Sequence, residues 1–257
     1  MMVNSIIFSK DKAPQLRLLL ESLSKNASDI FNLTVIYTTS NQEFDKGYEK
    51  LKSEEISLGV KWIQQTEFKN NVLQALQTNS DHSCFMSDED IMYGKFDGEK
   101  MAKAMKEDQD IFCFSLRLGM NTKFCMRLQT ANNLQGETHK DGVIVWDWQK
   151  NYLDYGFPLS LNGHVFRTRD IMKLTKQVGF KNPEQLEEAL QIFDTFPKFK
   201  MASYETSILV NVTHGSDVKT LNEKYVFGSV WSINDISFDK VIGCSMSTVP
   251  QKTVHNA

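Results

Sequence analysis

The sequence predicts an α/β protein with a mostly parallel central sheet. Two observations lead to this fold class. Short apolar segments alternate with segments of helical periodicity through the first ninety residues, and such alternation is typical of parallel strands joined by right-handed crossovers. The apolar run 84–86 then stops at the acidic cluster 88–90. Because ligands bind beyond the carboxyl ends of strands in open α/β sheets, the acidic cluster favours a binding cleft at that edge.

Four strands and three helices make up the alternating region. Pro14 suits the first turn of the first helix, and leucines at helical spacing follow it. Phe44, Tyr48 and Leu51 mark the second helix, and Phe68, Val72 and Leu76 give the third its apolar stripe. Apolar or β-branched runs predict the strands at 4–8, 33–38, 60–63 and 83–87.

The second half is less regular and more aromatic. Further strands are predicted at 110–117, 143–148 and 155–167. The second of them carries Asp147 between Trp146 and Trp148, and the third is interrupted by Ser160, Asn162, His164 and Arg167. Flat rings beside neutral hydrogen-bonding groups suit a carbohydrate. We also expect at least two of the four nearby aromatic residues to be core: Trp146, Trp148, Tyr155 and Phe157.

Size and charge fit one enzyme-sized unit. The 257 residues are 41% hydrophobic and carry a formal net charge of −3, which gives no electrostatic footprint for nucleic acid. The start of the sequence lacks the features of a signal peptide, so we expect no transmembrane segment and a cytoplasmic location. The cysteines at 84, 113, 125 and 244 have no metal-type spacing and are expected to be reduced core residues.

Asp88 and Asp90 are the candidate metal ligands. If the strand continues through them, two residues at this spacing point the same way, and their hard oxygens suit Mg²⁺ or Mn²⁺ bridged to a diphosphate. A solvated acidic turn is the alternative for the cluster taken alone.

An ordered set of segments carries a resemblance to a known family. The segments are Phe8-Ser9-Lys10-Asp11, Asp88-Glu89-Asp90-Ile91, 114–122, Trp146-Asp147-Trp148, 160–167 and 182–187. Together they resemble a GT-A-fold glycosyltransferase, in particular a bacterial and viral branch of nucleotide-sugar-dependent enzymes, from about residue 4 to about residue 228. The resemblance implies a Rossmann-like, mostly parallel sheet with helices on both faces and a less regular C-terminal acceptor half. It implies one catalytic domain, 1–228, with a nucleotide-binding half, 1–93, an acceptor half, 94–228, and a C-terminal extension, 229–257.

The resemblance also implies roles for individual residues. Asp90 would ligate the metal, with Asp88 beside it and His214 or His164 as the third ligand. Glu187 would be the base that deprotonates the acceptor, with Glu184 as its competitor and Asp147 as a third candidate. The donor nucleotide would meet Ser9, Lys10, Asp11, Thr39, Ser40, Asp88 and Arg117, and the sugar or acceptor would meet Trp146, Trp148, Asn162 and His164.

The expected activity is metal-dependent transfer of a sugar from a UDP- or GDP-sugar to a glycan or other hydroxyl acceptor, with Mn²⁺ or Mg²⁺ as cofactor and with inversion. Two alternatives stay open. A nucleotidyltransferase or another nucleotide-sugar-processing enzyme shares the parallel sheet and the acidic pair, although no glycine follows Phe8 to form a phosphate loop. A non-catalytic carbohydrate-binding protein would keep the aromatic residues without needing the acidic motif.

Overall fold

The structure, a computed structural model, describes residues 2–54, 59–125, 128–193, 197–212, 218–226 and 244–245. Its first part follows the predicted order: β1 (Val3–Lys10), α1 (Ala13–Ala27), β2 (Phe31–Thr38), α2 (Gln42–Ser53), β3 (Val60–Gln64), α3 (Phe68–Leu76) and β4 (His82–Ser87). Pro14 lies in the first turn of α1, and Asn41 caps α2 by accepting hydrogen bonds from two backbone N–H groups.

The remaining elements are shorter. They are β5 (Asp90–Met92), α4 (Gly98–Glu107), β6 (Ile111–Ser115), β7 (Phe124–Cys125), β8 (Thr130–Ala131), β9 (Thr138–Lys140), β10 (Val143–Asp147), β11 (His164–Arg167), α5 (Thr168–Gln177), α6 (Pro183–Leu190), β12 (Lys200–Tyr204), β13 (Leu209–Asn211), α7 (Val218–Val226) and β14 (Cys244–Ser245). Short 3₁₀ turns cover Trp148–Lys150, Leu153–Gly156 and Gln191–Phe193. Of the C-terminal extension predicted at 229–257, only 244–245 belong to the described residues.

A nine-stranded sheet with the order β3-β2-β1-β4-β11-β6-β12-β10-β9 forms the centre of the fold. β10 and β11 are antiparallel to the other seven strands, which all run in one direction, so the sheet is mostly parallel, as predicted. The carboxyl ends of β1, β2 and β4 therefore meet at one edge, and the amino ends of β6 and β12 lie at the opposite edge.

Helices cover both faces of the sheet, which confirms the predicted fold class. One buried apolar cluster includes side chains of α1, α2 and α4, and a second includes side chains of α3, α5 and α6. Each helix contributes one apolar stripe, and burial of such stripes is the main source of stability in a layered α/β fold.

In the second half of the chain, one predicted strand is partly wrong and the expected burial of aromatic residues is confirmed. The strand predicted at 155–167 is wrong for its first part, because only His164–Arg167 joins the sheet. A 3₁₀ turn and a loop precede β11, and in that loop Ser160 Oγ accepts a hydrogen bond from the backbone N–H of Asn162, a local bond that competes with strand pairing. The expectation for the four aromatic residues is confirmed, since Trp146, Trp148, Tyr155 and Phe157 are all buried.

The described cysteines and helices test two further expectations. Cys84, Cys113 and Cys125 are buried free thiols, as expected for core cysteines. Within the part of the chain that the structure describes, no helix combines the length and the apolar character needed to cross a membrane.

Candidate functional site

A cleft of about 700 Å³ lies at the carboxyl ends of β1, β2 and β4, where the sequence predicts a binding site. The loops after these strands form one wall, and the start of α6 forms the other. Its polar lining comprises Ser9, Lys10, Lys12, Thr38, Thr39, Ser40, Gln65, Ser87, Asp88, Glu89, Asn162, Asn182, Glu184 and Asn211. Of the predicted donor-binding residues, this cleft brings together Ser9, Lys10, Thr39, Ser40 and Asp88.

Asp11 joins the two loops that follow β1 and β2. Its carboxylate accepts hydrogen bonds from the backbone N–H of Ser40 at 2.7 Å and from the Ser40 hydroxyl at 2.6 Å. The residue has a positive φ of 59°, a left-handed conformation that aspartate tolerates better than most residues. Asp11 therefore fixes the shape of the cleft wall.

Asp88 is held by the last residue of β1. Its Oδ2 accepts the backbone N–H of Lys10 at 3.2 Å. Only 6% of the residue is exposed, and burial raises the pKa of the Asp88 carboxyl to about 7, against the opposing effects of Lys12 and Ser9. Behind it, the Ser9 and Tyr48 hydroxyls lie 2.6 Å apart. Asp88 thus lines the cleft and is tied to the end of β1.

The acidic motif does not run as a continuous strand. β4 ends at Ser87, the chain turns at Asp88 and Glu89, and a new strand, β5, begins at Asp90. The expectation that Asp88 and Asp90 point the same way depended on a continuing strand, and the strand does not continue through them. Within this motif, the carboxylates that line the cleft are those of Asp88 and Glu89.

Asp90 lies beneath the cleft with no exposed surface. Its Oδ2 accepts the backbone N–H of Ser87 at 2.8 Å, and its Oδ1 accepts the Asn211 amide at 2.9 Å. Burial raises the Asp90 pKa to about 7, although both hydrogen bonds favour the charged form. In this structure Asp90 ties β4 to β13, and its role as the metal ligand stays a prediction.

Lys12 is a cleft residue to which sequence reasoning gave no role. Its ammonium nitrogen lies 2.7 Å from Glu89 Oε1 and 4.0 Å from Asp88 Oδ1. The lysine comes directly before α1, and its backbone N–H donates to the Tyr48 hydroxyl at 3.2 Å. The position of Lys12 in the loop after β1 could have predicted its presence in the cleft, since the ends of parallel strands meet at this edge.

The oxygen donors in the cleft fit a divalent cation in part. No group of three or more His, Cys, Asp or Glu side chains that could hold a metal ion occurs among the described residues. Mg²⁺, however, is commonly held by one or two carboxylates together with substrate phosphates, and Asp88 and Glu89 fit that arrangement. Of the two histidines predicted as the third ligand, His164 is fully buried and does not line the cleft, and His214 lies outside the described residues.

His164 is a core residue. Its Nδ1 lies 3.1 Å from the carbonyl oxygen of Pro158. Burial, assisted by the positive charge of Arg117, lowers the pKa of the imidazole to about 3, so the ring is neutral.

The two candidate bases on α6 have different environments. Glu184, in the first turn of α6, is exposed and lines the cleft. Glu187 is only 1% exposed, and its Oε1 accepts the backbone N–H of Leu161 at 2.9 Å. Asn182 Oδ1 caps α6 by accepting the backbone N–H of Gln185 at 2.8 Å, which fixes the turn that carries Glu184.

The predicted aromatic wall and Arg117 lie inside the protein. Trp146 Nε1 donates to the carbonyl of Tyr155 at 2.8 Å, and Trp148 Nε1 donates to the carbonyl of Lys198 at 3.1 Å. Arg117 is 2% exposed, and its Nη1 lies 3.3 Å from Asp154 Oδ1. The structure therefore does not bring these side chains to the cleft.

A second cavity, of about 440 Å³, lies between α4 and the β9–β10 hairpin, near the amino ends of β6 and β12. Trp146 and Asp147 contribute to its lining. Asp147 accepts the backbone N–H of Gln149 at 3.0 Å and pairs with Lys150 at 3.1 Å. The third candidate base is therefore at a different site from Glu184.

Comparison with known proteins identifies the fold. No protein-family model matches the sequence, and no curated protein matches it either. A mannosyltransferase from Pyrobaculum calidifontis, solved in complex with GDP-Man and Mn²⁺, aligns with a TM-score of 0.50 at 8% identity. The alignment covers 85% of this chain and 59% of that chain. The fold of this chain is GT-A-like.

Two other solved structures align less well. A cytidylyltransferase from Leptospira borgpetersenii serovar Hardjo-bovis gives a TM-score of 0.48 at 14% identity, over 91% of this chain and 92% of that chain. S. aureus TarS 1–349 in complex with UDP gives 0.48 at 12% identity, over 88% of this chain and 64% of that chain.

Proposed function

We propose that this chain is a glycosyltransferase that binds a nucleotide sugar in the 700 Å³ cleft and transfers the sugar to an acceptor hydroxyl. The observation that carries the proposal is the composition of this single cleft. Two carboxylates and a lysine, Asp88, Glu89 and Lys12, lie at the strand ends, and the exposed carboxylate of Glu184 lines the same volume. The cleft has the size of a small-molecule site, typically about 300–1,000 Å³.

The nucleoside occupies the part of the cleft between the loops after β1 and β2. Ser9, Thr39 and Ser40 offer hydroxyl groups there, and Asp11 holds the two loops together. The apolar side chains of Phe8 and Ile36 line the same region. This mixture suits a base and a ribose, which present flat apolar faces and directed hydrogen-bonding groups.

The diphosphate lies against the acidic turn and the nearby lysines. Asp88 and Glu89 would hold a divalent cation together with the phosphate oxygens, and such a cation supplies Lewis-acid stabilisation of the departing diphosphate. Lys10 and Lys12 add positive charge to the same part of the cleft. The negative charge that develops on the oxygens of the departing diphosphate is thereby balanced without a glycine-rich phosphate loop.

Glu184 accepts the proton of the acceptor hydroxyl. It faces the cleft from the first turn of α6, whereas the buried Glu187 is engaged with the backbone of Leu161. General-base assistance typically contributes about 10²–10⁴-fold to the rate. A single displacement with Glu184 as base inverts the anomeric centre.

The two alternatives have less support. Nucleotidyl transfer could use the same strand ends, but Ser9-Lys10-Asp11-Lys12 contains no glycine to wrap a triphosphate. A purely carbohydrate-binding role relied on exposed aromatic residues, and Trp146 and Trp148 are buried.

A nucleotide-binding screen tests the proposal. UDP, GDP, CDP and ADP are added with and without MnCl₂, and melting temperature is measured. A ligand that binds only the folded state stabilises it by about 2.7 kcal/mol at a concentration of 100 Kd. We expect one diphosphate to raise the melting temperature of the wild type and to have a weaker effect on Glu89→Gln. If no diphosphate at millimolar concentration stabilises the wild type, the proposal is wrong.

A further inference from the structure

The contact between Lys12 and Glu89 has a consequence for metal binding in the proposed donor site. Lys12 Nζ lies 2.7 Å from Glu89 Oε1 and 4.0 Å from Asp88 Oδ1, so its ammonium group occupies the space beside both cleft carboxylates. These are the oxygen atoms that would hold a divalent cation. An ammonium group and a divalent cation at the same carboxylate repel each other, and the repulsion is strong where water is partly excluded.

We propose that Lys12 is an exchangeable counter-ion that couples metal binding to diphosphate binding. In the free protein the ammonium group neutralises Glu89 and Asp88 and weakens binding of the cation. When a nucleoside diphosphate enters, Lys12 turns to the phosphate oxygens and leaves the carboxylates to the cation. The inference rests on the proposed function, because it assumes that the cleft receives a diphosphate.

The geometry of Lys12 permits this movement of the side chain alone. The backbone of the residue is fixed, since its N–H donates to the Tyr48 hydroxyl at 3.2 Å and its carbonyl accepts the N–H of Leu16 at 2.9 Å. The side chain is 28% exposed and lies on the cleft wall. A lysine ammonium on a flexible four-carbon stem can change partners without moving the helix that follows it.

Coupling of this kind is reciprocal: if diphosphate tightens metal binding, the metal tightens diphosphate binding by the same factor. Direct bonds between metal and phosphate contribute to that factor whether or not Lys12 is present. The contribution of Lys12 is the part of the coupling factor that is lost when the charge of Lys12 is removed. Removal of this charge also strengthens metal binding in the absence of nucleotide. If the role of Lys12 were only structural, removal of its charge would not increase the affinity for the metal.

The test is calorimetric titration of MnCl₂ into the protein alone and into protein saturated with UDP or with GDP. The variants are Lys12→Met, Lys12→Arg, which keeps the charge, and Lys61→Met, an exposed lysine of β3 that controls for net charge. For Lys12→Met we expect Mn²⁺ alone to bind about tenfold tighter and the coupling factor to fall by about the same amount, within the 5–150-fold range of typical couplings. Lys12→Arg and Lys61→Met should behave like the wild type.

Other results overturn the inference. Mn²⁺ that binds Lys12→Met no tighter than the wild type without nucleotide would show that Lys12 does not compete for the carboxylates, and an unchanged coupling factor would show that it does not link the two ligands. If Lys12→Met does not fold, Lys12→Gln replaces it. If the wild type binds neither UDP nor GDP, CDP and ADP are titrated in their place. Failure of all four diphosphates would instead contradict the proposed function, while the Mn²⁺ titration without nucleotide would still decide the competition by Lys12.

Discussion

Glu187 Oε1 accepts a hydrogen bond from the backbone N–H of Leu161 at 2.9 Å. This hydrogen bond distinguishes Glu187 from Glu184, the other glutamate considered for catalysis. It anchors α6 to the loop before β11, beside the cleft residue Asn162. Glu184, one turn earlier, lines the cleft and is exposed. The more buried glutamate therefore supports the wall, and the exposed one faces the cleft.

The first prediction compares these two residues. Glu184→Gln should lower kcat for sugar transfer by about 10²-fold or more at unchanged melting temperature, because it removes a general base without removing a buried contact. Glu187→Ala should lower the free energy of unfolding by about 1–3 kcal/mol, because it leaves a buried N–H unsatisfied. Kinetics and urea denaturation measure the two effects. A large loss of kcat in a stable Glu187→Gln protein, with Glu184→Gln active, would return the base to Glu187.

A second prediction concerns the acidic turn. Asp90→Ala should destabilise the protein by about 1–3 kcal/mol or more, because the N–H of Ser87 and the amide of Asn211 lose a buried acceptor. Glu89→Gln should leave the free energy of unfolding unchanged and weaken Mn²⁺-dependent binding of the diphosphate. Urea denaturation and calorimetry measure both quantities. Loss of Mn²⁺ binding in a fully stable Asp90→Asn protein would restore Asp90 as the metal ligand.

A third prediction concerns the indole of Trp146. The side chain is 1% exposed and hydrogen-bonded to Tyr155, so Trp146→Ala should cost about 3–5 kcal/mol of stability. Tyr152→Ala is the matched control, because Tyr152 is 57% exposed and its loss should change stability little. A stable Trp146→Ala protein with a raised KM for the sugar partner would contradict the core assignment.

The fourth prediction is a dependence of stability on pH through His164. Its folded pKa is about 3, whereas an unfolded histidine has a pKa of about 6.5. Below pH 6.5 the unfolded chain therefore binds a proton that the folded chain does not, and the free energy of unfolding falls as pH decreases toward 3. The loss through this residue is about 2 kcal/mol at pH 5.

Asp88 and Asp90 act in the opposite direction, because their raised pKa values stabilise the folded state as pH falls from 7 toward 4. The informative quantity is therefore the difference between wild type and His164→Gln, measured by urea denaturation at pH 7 and pH 5. The wild type should lose about 2 kcal/mol more than the variant between these pH values. Equal losses in the two proteins would mean that the ring is protonated in the folded state.

The alternating half of the fold followed from the sequence because each element there has a strong local signal. Apolar runs set β1, β2 and β4, and Pro14 and Asn41 mark the starts of α1 and α2. The loop before β11 was harder, since its apolar residues are core residues held by turns, and periodicity does not distinguish that arrangement from a strand.

The position of the site could be predicted from the sequence, but the burial of Asp90 and the contact made by Lys12 could not. Parallel strand ends meet at one edge, which places Ser9, Ser40 and Asp88 together. No local pattern indicated that the chain turns at Glu89 and buries Asp90, because β5 pairs with β13, more than a hundred residues away. Lys12 was missed for a similar reason, since its contact with Glu89 joins two separate loops.

Product analysis distinguishes transfer of a sugar from transfer of a nucleotidyl group. The wild type is incubated with MnCl₂ and a panel of UDP- and GDP-sugars, and in parallel with nucleoside triphosphates and sugar phosphates, and the released phosphorus compounds are identified by ³¹P NMR. For a glycosyltransferase we expect release of UDP or GDP from one nucleotide sugar, with the sugar passed to an added hydroxyl acceptor or to water, and a rate lowered about 10²-fold in Glu184→Gln. Release of pyrophosphate from a triphosphate, with no nucleoside diphosphate formed from any nucleotide sugar, would contradict it.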